Sequence, residues 1–168
     1  KQHVTFVGGP ADRLGNMVEA RIGREEVERI VVVSPFFDDG GALLDRWQKR
    51  WKGVRIHTIV DDRLGTLPHA LERTVANAIS WYPWQAVPLG EEDEKARNRR
   101  KLHAKAVVFE LRGGRELAYV GSANASVAAW GLDPVPPANV EAGVIIERST
   151  KSLAKELGVD PEKWTATP

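Results

Sequence analysis

A chain of 168 residues without a single cysteine is long enough for one compact domain with its own core, and it excludes disulfides, thiolate metal sites and cysteine nucleophiles. Charge nearly cancels, 24 Lys and Arg against 23 Asp and Glu, so a case for nucleic acid has to rest on local clustering. The 42% of hydrophobic residues come in runs too short to span a bilayer, and no amphipathic membrane anchor is evident, which argues against stable membrane association.

Apolar runs alternate with helix-period segments, the pattern of an α/β layer. In chain order, strands are expected at residues 4–7, 30–34, 54–60, 102–111, 117–121 and 140–147. Helices are expected at 13–29, with a break at Gly23, and at 41–52, 67–80, 126–130 and 151–157. Leu44, Trp47 and Trp51 share one face of the second helix and are assigned to the core. Two segments interrupt the rhythm as functional loops: 81–101, which is charge-segregated, and 131–139, which carries Pro134, Pro136 and Pro137. Asp38-Asp39 and Asp61-Asp62 read as turn and capping residues rather than cation ligands, and His57 has no visible catalytic partner. Because the chain opens on Lys1 and has no leader, it is expected to be a single domain over 1–168 taken from a longer, cytoplasmic protein.

The chemistry concentrates in the last third. His103 and Lys105 are two apart in an expected strand and therefore project to one face. One hairpin later Gly121-Ser122-Ala123-Asn124 places small polar residues at a strand end and helix start, where side-chain and backbone donors can meet an anion. Asn139-Val140-Glu141 then brings a carboxylate to the start of another strand.

This ordered set, His-x-Lys with an acid five residues after the Lys, then Gly-Ser-x-Asn, then Asn-x-Glu, resembles the phospholipase D superfamily motif, and the segment from Ile30 to Ile146 follows that family's order of strands and helices. Glu110 stands where the family has Asp. The resemblance implies a mixed central sheet flanked by helices on both faces, and a structural part for that acid. It also implies a second histidine, from a second copy of the motif, as general acid. His3, His57 and His69 are each followed two residues later by something other than Lys, so the second histidine must come from a homodimer or from elsewhere in the parent chain.

The roles follow from the bond. A phosphodiester repels anionic nucleophiles, so a neutral imidazole, His103, is suited to attack and form a phosphohistidine. Lys105 supplies the cation, Ser122 and Asn124 neutral donors, and no metal or other cofactor is needed. Glu141, on a strand that the resemblance implies is adjacent to that of His103, is assigned to accept a hydrogen bond from the other ring nitrogen. Arg99 and Lys101 continue the odd-numbered register of His103 and would line the approach as a phosphate rail, while Trp81, Tyr82 and Trp84 either stack on bases or pack on the sheet. Together these point to a metal-independent nuclease acting on DNA or RNA. A phospholipid phosphodiesterase or phosphatidyl transferase is the enzymatic alternative, and a non-catalytic module binding nucleic acid or a partner is the alternative of another class.

Overall fold

A computed structural model of the chain describes residues 2–8, 13–61, 68, 78–86, 101–150 and 153–164. Seven strands form one mixed sheet: β1 (Gln2–Gly8), β2 (Val27–Val33), β3 (Arg55–Val60), β4 (Ile79–Pro83), β5 (Ala106–Leu111), β6 (Glu116–Gly121) and β7 (Ala142–Arg148), in the spatial order β1-β7-β6-β5-β2-β3-β4. β2, β3 and β4 run parallel to one another, and the other neighbours pair antiparallel.

Alternation along the strands divides the core. Ile30, Val32, Ile56, Val107, Phe109, Tyr119 and Ile145 face three helices, α1 (Leu14–Ile22), α2 (Ala42–Arg50) and α3 (Val127–Trp130). Val31, Val108 and Ala118 face the other way, against α4 (Leu153–Glu156). The sheet thus carries helices on both faces, as expected. Trp47 of α2, fully buried, meets Phe109 and Trp130 edge-on with ring centroids 5.2 and 5.0 Å away, so α2, β5 and α3 are locked by aromatic packing. Leu44 and Trp51 are buried with it, which meets the core assignment.

Three expected elements differ. The helix expected over 13–29 does end at the break expected at Gly23, which adopts φ +65°, but the part expected to continue beyond it does not form, and the β-rich run from Val27 belongs to β2 instead. Ile79 and Ser80, expected to end a helix, and Trp81 to Pro83, expected in a loop, form β4; Pro68 and Ala78 are not helical, and the remainder of that helix lies outside the described residues. Pro83 is tolerated there because β4 pairs through β3 on one side only. Tyr82 is buried, and Trp81 packs edge-on against Phe37 at 5.6 Å, so both serve packing rather than an open stacking platform.

Candidate active site

The third difference shapes the site. β5 begins at Ala106, so His103 and Lys105 precede the strand rather than alternating within it. The reason is that the ladder partners run out: Ala106 is the last residue of β5 to face β2, at Val33, and only Lys105 continues toward β6, its carbonyl accepting from Gly121 N at 3.1 Å. Lys101 is exposed and lies outside any strand, so a register shared with His103 does not apply to it; Arg99 lies outside the described residues.

Direction places the remaining residues together. β6 ends at Gly121 and β7 begins at Ala142, both at the end of the sheet where β5 starts and where parallel β2, β3 and β4 finish. His103, Lys105, Ser122, Asn124 and Glu141 therefore share one rim, the carboxyl end of the parallel strands, where open α/β sheets commonly bind ligands. His103 and Ser122 are exposed; Lys105, Asn124 and Glu141 are half-buried. Lys105 Nζ donates to the His103 carbonyl at 3.0 Å and lies 3.4 Å from His103 Nδ1, so the cation sits directly beside the imidazole.

Ser122 extends the β6–β7 ladder by one residue. Its N–H donates to the Ala142 carbonyl at 2.9 Å, its Oγ accepts from Ala142 N at 2.9 Å, and the same hydroxyl donates to Glu141 Oε2. This corrects the assignment of Glu141 to the His103 ring. β6 lies between β5 and β7, the strands that His103 and Glu141 respectively precede. Ser122 occupies the intervening strand and takes the carboxylate.

Tyr119 explains why glycine occupies 121. Two residues earlier on the same face, its ring lies across both Gly121 and Gly143: a Cβ at Gly121 would come 2.6 Å from Tyr119 Cζ and nearer still to its hydroxyl and the Ala142 carbonyl, and one at Gly143 would come 2.6 Å from Tyr119 Cε2. The Tyr119 hydroxyl donates to Ala142 O at 3.2 Å and accepts from Ala123 N at 3.1 Å, fixing the turn that presents Ser122. Burial pushes its pKa up, so it serves as a neutral donor. Sequence reasoning passed over Tyr119, although a Tyr two positions before a strand glycine was the visible signal.

The loop after Ser122 is equally constrained. Buried Ser34 Oγ accepts from Ala125 N at 3.0 Å and donates to Phe36 O at 2.7 Å. Asp38 caps two helices at once, accepting from Leu43 N at 3.1 Å and Val127 N at 3.0 Å, which is the capping role expected of it. Burial raises its pKa, against the opposing backbone donors. Asn124 contributes only its carbonyl to this framework, accepting from Ser126 N at 2.8 Å; its Oδ1 is buried without a hydrogen-bond partner among the described residues.

Glu110 lies toward the opposite end of β5, nearly buried, with Oε1 2.6 Å from Arg29 Nη2 on the neighbouring strand. Nearby, His57 has Nδ1 3.0 Å from the Tyr82 hydroxyl, and burial with the charges of Arg29 and Arg55 pushes its pKa down to about 4. Among the described residues no three His, Asp or Glu side chains converge as a metal site.

Neither a family model nor a curated protein matches this sequence. Solved structures do. NucT from Helicobacter pylori superposes with a TM-score of 0.58 at 14% identity, covering 94% of each chain. Nuc from Salmonella typhimurium, a phospholipase D family member, gives 0.56 at 18% identity over 94% of this chain and 90% of that one. The chain has the phospholipase D fold. A mutant of the yeast tyrosyl-DNA phosphodiesterase shares that fold at a TM-score of 0.52 and 12% identity; it matches 86% of this chain, which spans only 30% of the yeast protein. Within the phospholipase D fold, the rim built by β5, β6 and β7 is where this chain gathers its histidine, lysine, serine, asparagine and glutamate.

Proposed function

We propose that this chain is a metal-independent phosphodiesterase, and specifically a nuclease, that works through a phosphohistidine on His103. The observation that carries the reading is the pairing at the rim: an exposed imidazole with an ammonium 3.4 Å from it, faced across β5 and β6 by a serine hydroxyl bonded to a carboxylate. Lys105 neutralises a non-bridging oxygen, Asn124 donates to another, and Ser122 donates once its hydroxyl turns from Glu141 to the phosphate. One ring nitrogen of His103 attacks phosphorus; the N–P bond forms as the bond to the leaving oxygen breaks. That oxygen takes a proton from a second histidine, and water then releases the phosphate and regenerates the imidazole. Since this sequence has a single His-x-Lys, we assign the second histidine to a homodimer or to another segment of the parent chain.

Nucleic acid is favoured over lipid by the basic run in the sequence that ends at Lys101, which is exposed two residues before His103, and by fold relatives that include a tyrosyl-DNA phosphodiesterase. Among the described residues no helix is long and apolar enough to cross a membrane. A cytoplasmic site of action completes the reading. The test is to incubate the purified chain, in EDTA, with labelled single-stranded DNA, duplex DNA, RNA and phosphatidylcholine, beside His103→Ala. Cleavage of a nucleic acid that falls by roughly 10³-fold or more in the variant is expected. Cleavage of the lipid alone would move the substrate to the other class, and a strict need for a divalent ion would refute the mechanism.

A further inference from the structure

His103 is held from outside its own motif. Asp61 closes the end of β3, is 2% exposed, and accepts from Leu102 N at 2.9 Å through Oδ2. The Leu102 side chain is buried against Val33 and Ile59, with Trp84 and Trp164 packed around it. Two residues past His103, the Lys105 carbonyl is tied to Gly121 N. His103 and Ala104, both exposed, thus span a gap between two fixed points, one on β3 and one on β6. Among the described residues no ladder hydrogen bond holds His103 or Ala104, since β5 begins only at Ala106. A buried carboxylate costs far more desolvation than a backbone carbonyl in the same place, and this one accepts from the amide adjoining an exposed imidazole, which points to a demand for a fixed position there.

We propose that Asp61 is a positioning residue: through the Leu102 amide it sets the backbone of 102–105 and so aims the His103 ring at phosphorus. The assignment rests on the phosphodiesterase reading for its effect on rate, and on geometry alone for its effect on the ring. Asp61→Ala should lower kcat by roughly 10- to 100-fold with KM changed less than about threefold, because the phosphate donors stay in place while the nucleophile loses aim. Asp61→Asn keeps an acceptor for Leu102 N and should restore kcat to within about fivefold of wild type.

Two measurements independent of turnover accompany these. In wild-type protein the Leu102 amide should exchange with deuterium at least ~100-fold more slowly than the amides of exposed loops. Nuclear magnetic resonance of the His103 ring should show shifted signals in Asp61→Ala and wild-type signals in Asp61→Asn. Fast exchange at Leu102 overturns the proposal even where Asp61→Ala does not fold, and so does a folded Asp61→Ala with unchanged kcat or unchanged ring signals. Wild-type protein inactive on every phosphodiester would instead defeat the functional reading, leaving amide exchange and ring signals to decide Asp61.

Discussion

Ser122 and Glu141 are bonded to each other, and on the proposed reading they act as one unit, the hydroxyl turning from the carboxylate to the phosphate when substrate binds. Replacing Glu141 with Gln frees Ser122 from its charged acceptor, and Ser122→Ala leaves the carboxylate alone at the rim; each is expected to lower kcat by about 10- to 100-fold. The double variant should be little worse than either single one, because both remove the same interaction. Full additivity in a double-mutant cycle would separate the two residues. His57 gives a second test at this scale. Its pKa in the fold is about 4 against an ordinary 6.5, so above 6.5 both folded and unfolded chains hold it neutral. As pH falls from 6.5 toward 4, the unfolded chain takes up a proton that the folded chain refuses, and stability is lost across that window. The urea midpoint should therefore fall more steeply between these values in wild type than in His57→Gln. Parallel pH profiles would contradict the assignment.

The element on which the site depends most is the β6 end, where Tyr119 lies over Gly121 and Gly143. Gly121→Ala puts a methyl group against Tyr119 and the Ala142 carbonyl, and should cost about 1–3 kcal/mol in urea unfolding, together with activity, because Ser122 moves with its neighbour. A variant within about 0.5 kcal/mol of wild type and fully active would show that the contact yields easily. Elements of this kind were only partly legible in the sequence. The sheet-forming runs and the tryptophan face of α2 were readable because each follows from local spacing, whereas His103 and Lys105 reach the rim ahead of β5 and not by the strand alternation expected of them. The partner of Glu141 was not, because it depends on β6 lying between β5 and β7, a spatial order that no local pattern encodes. The strand character of Ile79–Pro83 was hidden by a preceding helix-period stretch, and the role of Asp61 by its separation from Leu102 by 41 positions.

At the scale of the whole molecule, the mixed sheet delivers its chemistry to one rim because antiparallel β5, β6 and β7 place a start, an end and a start together, beside the finishing ends of parallel β2, β3 and β4. Helices on one face and α4 on the other support that rim from outside the site. On the proposed reading His103 is the nucleophile and Lys105 supplies the positive charge, and the covalent intermediate is the consequence that other mechanisms do not share. Rapid quenching of the protein with radiolabelled phosphodiester substrate in EDTA measures it. The expected result is an acid-labile, base-stable phosphoryl group that maps to His103 and is absent from His103→Ala. Product formation in EDTA with no label on the protein at any quench time, or label on another residue, would contradict the central claim.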